Sequence, residues 1–145
     1  MGVAYRCNPE TDLAVVLWDG VITAEDAVGH FTAISADPVW AANRLFITDL
    51  TSVSVEHRPA YDDIAEIGER FLEHFAPRIE RAKWAVVADH LFDDVMKLEA
   101  HLRLDVHRML LFGNLPTACV WMNLDPGDVQ RTVNDLRQQI RDAAE

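Results

Sequence analysis

The apolar positions of this chain fall into two rhythms, one of alternation and runs, the other of helical spacing. Val3 to Cys7 and Leu13 to Trp18 are short strand-like runs, and Asn8-Pro9 and Asp12 between them supply turn chemistry. That spacing predicts an antiparallel hairpin at one edge of a sheet. Thr23 then stands where an N-cap belongs, with Asp26 three residues on. Ala27, Phe31 and Ile34 recur at helical spacing until Asp37-Pro38 stops a first helix. Leu45 to Leu50 is a nearly continuous apolar run, the pattern of a strand covered on both faces. Ile64, Ile67, Phe71 and Phe75 mark the buried stripe of a second helix that ends before Pro77, and its opposite face carries Asp62, Glu66, Glu69 and Glu73.

Trp84 to Ala88 predicts a further strand, followed by Asp89-His90. Leu91, Val95, Leu98, Leu102, Val106 and Met109 keep helical register. Asp93 and Asp94 at the start of that segment and His107 and Arg108 near its end match the helix dipole. Gly113-Asn114 reads as a stop, Leu115-Pro116 as a linker and Ala118 to Met122 as a last strand. Asp125 as N-cap and Pro126 at the first helical position open a final helix with the stripe Val129, Val133, Leu136 and Ile140. Strands alternating with helices predict one α/β domain over residues 1–145, built on a mixed, mostly parallel five-stranded sheet flanked by about four helices.

A chain of 145 residues can bury one ordinary core, and with 50% apolar and 26% charged residues it is neither disordered nor fibrous. The formal charge of −11, from 24 acids against 13 bases, repels phosphate backbones and anionic membranes. Nucleic acid is therefore not an expected partner, and a protein with a basic surface is. No apolar stretch approaches bilayer-spanning length and no basic leader precedes an apolar run, so the expected location is cytoplasmic. Cys7 and Cys119 belong to no Cys-x-x-Cys pair and read as small buried side chains in strand-like segments, with their proximity left open.

The order of elements, with Asp49-Leu50-Thr51-Ser52-Val53 closing the third strand, resembles the STAS domains of anti-sigma-factor antagonists. The turn Asp19-Gly20-Val21-Ile22-Thr23-Ala24-Glu25-Asp26 and the strand Arg81-Ala82-Lys83-Trp84-Ala85-Val86-Val87-Ala88 look closer to the SpoIIAA-like branch of that family. The resemblance covers nearly the whole chain. It implies a STAS-like fold, a regulatory or protein-binding role without cofactor, and a contact region in the loop after the third strand. In phosphoregulated members an Asp-Ser-Ser-Gly type turn bears the acceptor serine at the start of the next helix. This sequence has His57, Arg58, Pro59 and Ala60 there, and Ser52 and Ser54 lie earlier, on the strand side.

The expected contact surface is Asp49, Thr51, Ser52, Ser54, His57, Arg58, Tyr61, Asp62 and Glu66. A second candidate is a strand-end pocket of Asp19, Asp89, His90 and Asn123, because open α/β sheets place their sites at the carboxyl ends of the strands. Asp89-His90 is its sharpest pair, since a carboxylate can orient an imidazole, and a hydrolase or isomerase using the two is the weakest of three functional readings. Between these stands a domain that binds a small apolar molecule or lipid, implied by the lipid-binding side of the resemblance and by the Leu-, Phe- and Met-rich third helix. The leading reading is a non-enzymatic protein-binding module. No nucleophile elbow, glycine-rich phosphate cradle or His/Cys metal spacing is present, and His101 and Asp105, four apart, read as a surface pair. An open sheet with an edge hairpin also predicts a homodimer.

Overall fold

The computed structural model describes residues 2–21, 23–41, 43–54, 66, 69–71, 73–74, 82–90, 93, 95–96 and 109–144. Five strands form one sheet in the order β1-β2-β3-β4-β5. They are β1 (Gly2–Asn8), β2 (Leu13–Gly20), β3 (Leu45–Val53), β4 (Lys83–Val87) and β5 (Met109–Phe112). β1 pairs antiparallel with β2, and every other neighbouring pair is parallel. The α/β class and the edge hairpin are thus as the sequence predicts.

Four helices are bounded among the described residues: α1 (Ala24–Ser35), α2 (Pro38–Ala41), α3 (Leu115–Met122) and α4 (Pro126–Ala144). Residues 66, 69–71, 73–74, 93 and 95–96 are helical as well. The start of α1 is the capping box read from the sequence: Thr23 Oγ1 accepts from the Asp26 N–H, and Asp26 accepts from the Thr23 N–H, both at 3.1 Å. At the head of α4, Asp125 Oδ1 accepts from the Gly127 N–H at 2.8 Å.

Both sheet faces are covered. On one, Ala14, Phe46, Trp84 and Met109 lie in a row of register partners from β2 to β5. Trp40 of α2, Phe31 of α1 and Phe71 pack over this row. Ring centroids lie 4.7 Å apart for Trp40 and Phe46, 4.8 Å for Phe46 and Trp84, 5.1 Å for Phe71 and Trp84 and 5.5 Å for Phe31 and Phe71. The Trp84 indole N–H donates to Thr48 Oγ1 at 3.0 Å, which keeps the buried donor paired. On the other face, Val15, Leu17, Ile47, Ala85 and Val87 meet Ala118 and Cys119 of α3 and Val129, Val133 and Leu136 of α4. Val133 and Leu136 are fully buried, so truncating either to Ala removes packing worth about 2–4 kcal/mol.

Several expectations need correction. Ala118–Met122 is not a strand: it belongs to α3, whose buried positions Leu115, Ala118, Cys119 and Met122 recur at helical spacing. Gly113-Asn114 starts this helix instead of stopping one. Asn114 Oδ1 accepts from the Thr117 N–H at 2.9 Å, and Pro116 sits in the first turn, where no intrahelical donor is required. Met109 opens β5 and does not extend the preceding helical register. Cys7 and Cys119, both free, pack on opposite faces of the sheet: Cys7 is half-buried in β1, and Cys119 is buried in α3 and not in a strand.

Candidate functional site at the carboxyl edge of the sheet

β3 runs three residues past Leu50, and it does so through a bulge. Leu17 pairs with Asp49 and Asp19 with Ser52, so β3 advances three residues where β2 advances two. Leu50 and Thr51 together oppose Trp18. Strict alternation from Asp49 sends Ser52 toward α1 and Val53 toward α4. The extra residue reverses this: Val53 is buried in the α1 layer, and Ser52 lies under α4.

Asp49 holds the bulge. It is 3% exposed, between its register partners Leu17 and Val87, which are both fully buried. A carboxylate there is tolerable only when bonded. Its Oδ1 accepts from the Thr51 N–H at 2.8 Å and from Thr51 Oγ1 at 2.6 Å, which closes an Asx turn inside the strand. The acidic anchor foreseen for the loop after the third strand is therefore real, and it lies within the strand.

Beyond the bulge, Arg137 of α4 reaches down to Ser52. Its Nε and Nη2 donate to Ser52 Oγ at 3.3 and 3.0 Å, and Nη1 donates to Asn134 Oδ1 at 3.3 Å. One turn later on the same helix face, Arg141 Nε lies 4.0 Å from Asp19 Oδ2 at the end of β2. Asp19, Ser52, Arg137 and Arg141 thus share one side of the carboxyl edge. Composition gave no hint of the two arginines, because on the sequence they are polar positions of an amphipathic helix and their partners lie about 85–120 residues away.

Asp89 and His90 follow β4 and are both exposed. Among the described residues no hydrogen bond joins them. The His90 ring instead donates from Nε2 to the Val53 carbonyl at 2.7 Å, tying the ends of β3 and β4 together. β5 leads into α3 on the α4 face, whereas Val95, after β4, packs in the α1 layer. Such a divergence between neighbouring strands is where open sheets form a crevice. Here the Ala88 N–H donates across it to the Phe112 carbonyl at 2.9 Å. Asn123 is not at a strand end: it caps α3 in the left-handed conformation, φ 57°, and takes no part in this edge.

Of the expected contact surface, Asp49, Thr51 and Ser52 are brought together, and Ser54 follows with its N–H donating to the Gly20 carbonyl at 2.9 Å. Glu66 is helical and exposed, as are Glu69 and Glu73. His57, Arg58, Tyr61 and Asp62 lie outside the described residues, as do His101 and Asp105. Among the described residues no group of His, Cys, Asp and Glu could hold a metal ion, and no helix is long and apolar enough to cross a membrane. No protein-family model matches the chain, and no curated protein matches it.

Proposed function

We propose that this chain is a non-enzymatic, STAS-like binding module that recognises another protein through the segment from Asp49 to Pro59 and the start of the helix that follows. The observation that carries the reading is the bulge. Asp49 spends its carboxylate on Thr51, His90 spends a ring N–H on the Val53 carbonyl, and Ser54 is tied to Gly20, so the polar groups of this edge fix its shape. A polar strand end whose groups are tied in place, in a chain that also exposes Glu66, Glu69 and Glu73, suits a docking platform. The exposed Glu66, Glu69 and Glu73 and the net charge of −11 favour a basic partner surface.

Among the described residues β1 pairs only with β2, and Arg6 is the one charged residue it carries. A second copy added along that edge gives a homodimer by strand pairing. Light scattering coupled to size exclusion tests this, and a monomer mass at high micromolar concentration rules it out.

The contact surface is tested with wild-type and Asp62→Lys/Glu66→Lys baits in a pulldown from the native host. Reversing the charges of Asp62 and Glu66 is expected to weaken capture and flatten its salt dependence, and circular dichroism checks that the fold is kept. Equal recovery by both baits removes the proposal. Native mass spectrometry of the same preparation addresses the apolar-ligand reading: a co-purifying apolar molecule, with no protein recovered, puts that reading in its place.

A further inference from the structure

Arg137 is a half-buried guanidinium whose hydrogen-bond acceptors among the described residues are all neutral. Its Nε and Nη2 converge on a single oxygen, Ser52 Oγ, and Nη1 reaches the amide oxygen of Asn134. Arg6, Arg70, Arg131 and Arg141 each have a carboxylate within 4.0 Å, at Asp135, Glu73, Asp128 and Asp19. No carboxylate among the described residues comes that close to Arg137, in a chain where acids outnumber bases 24 to 13.

The chemistry of the fork makes this informative. Two parallel N–H groups of a guanidinium match the two oxygens of a carboxylate, whereas a hydroxyl offers one oxygen and no charge. Ser52 Oγ accepts from both nitrogens, so its own hydrogen must point elsewhere, and it has no acceptor among the described residues. An unused hydroxyl donor and an underused fork thus stand side by side. Arg141, one turn on, has among the described residues the 4.0 Å approach to Asp19, with 64% of its side chain exposed.

We infer that Ser52, Arg137 and Arg141 form a binding site for a small monocarboxylate at the carboxyl edge of β2 and β3. The two carboxylate oxygens take the two N–H groups of the Arg137 fork, one of them also accepting the Ser52 hydroxyl hydrogen, with Arg141 closing over the charge. Among the described residues, of the two guanidiniums Arg141 alone has a carboxylate within 4.0 Å, that of Asp19, which leaves about one positive charge for a singly charged anion to neutralise. This site goes beyond the docking role proposed above, because a small anion can fill it whether or not a protein occupies the platform.

The test is a titration of the full chain with acetate, followed by amide and arginine side-chain NMR signals, with inorganic phosphate as second probe and chloride at matched ionic strength as control. Saturable acetate shifts are expected at the Ser52 N–H and the Arg137 Nε–H. Arg137→Gln is expected to weaken acetate binding about ten-fold or more, and Arg137→Lys, which keeps the charge and loses the fork, about five-fold. Ser52→Ala removes the hydroxyl while leaving every charge in place, and it carries the test if an Arg137 variant disturbs the fold. Shifts that never saturate, an unchanged response in both Arg137→Gln and Ser52→Ala, or phosphate binding more tightly than acetate would each overturn the site.

Discussion

The carboxylate of Asp49 accepts both the N–H and the hydroxyl of Thr51, and this local bond decides where Ser52 points. Without the bulge it closes, alternation turns Ser52 toward α1, away from Arg137. Replacing Asp49 by Ala leaves the half-buried Thr51 N–H without its acceptor and is expected to cost about 1–2 kcal/mol of stability without changing the fold. Asp49→Asn, which keeps an accepting oxygen, is expected to lose less. Urea midpoints report both, and a midpoint for Asp49→Ala equal to that of wild type would show that the bulge does not need its carboxylate.

His30 gives the fold a dependence on acid. Its ring packs edge-on to Trp18 at 4.5 Å, and burial pushes its pKa down from 6.5 to about 4. The folded chain therefore holds His30 neutral in a range where the unfolded chain protonates it. The contribution is full above about pH 6.5 and is lost as pH falls toward 4. Discounted for partial exposure, it amounts to about 2 kcal/mol. His30→Phe is expected to lose less stability than wild type between pH 7 and pH ~4.5. Parallel losses in the two proteins would assign the acid sensitivity to other groups.

At the sheet edge the Tyr5 hydroxyl donates to Asp37, which also accepts from the Val39 N–H at 2.9 Å at the start of α2. The hydrogen bond to Asp37, then burial, pushes the Tyr5 phenol from 10.0 up to about 12. The stabilisation from this pair is present below about pH 10 and is lost as pH rises toward 12. Absorbance titration is expected to show a late phenolate transition that disappears in Tyr5→Phe and moves down in Asp37→Asn. A transition that stays in place in Asp37→Asn would mean that the carboxylate is not its cause.

Gly2 is the close contact between the first strand and the last helix. A Cβ at this position would lie 2.4 Å from Cγ2 of Ile140, a β-branched side chain with little freedom to withdraw. Gly2→Ala is expected to destabilise by about 1–3 kcal/mol. Combined with Ile140→Ala, which removes the obstructing methyl, it should cost less than the sum of the two changes, and strict additivity in a double-mutant cycle would contradict the clash.

The sequence was most legible where a chemical signal and a periodic one agreed. Thr23 with Asp26, and Asp125-Pro126 ahead of Val129, Val133 and Leu136, state a cap and a stripe together, and both helices form as read. It misled at Met109 to Met122, where two short apolar runs exchange roles. Met109 continues the spacing of Leu98, Leu102 and Val106, and a four-residue run has no periodicity of its own, so β5 was hidden by its neighbour. Ala118 to Met122 looks like a strand as an isolated run. Reading it together with Leu115 and the Asn114-x-x-Thr117 cap reveals the helix.

The candidate site was half legible for a different reason. Asp49 and Thr51 are two residues apart, and turn chemistry speaks at that range. The Ser52–Arg137 contact depends on the bulge, which is visible only once β2 and β3 are in register. His90 and Val53 meet for the same reason.

The position of α4 in the chain sets an order of events during synthesis. This helix covers β1 and β2, and its Val133 and Leu136 close the layer that contains Val15, Leu17 and Ile47. All five strands leave the ribosome before it does. Until α4 arrives, the apolar face over β1 and β2 stays uncovered beside an open edge, the combination that recruits chaperones or neighbouring chains. The helix that carries Arg137 thus also shields the hairpin as synthesis passes the last strand of the sheet.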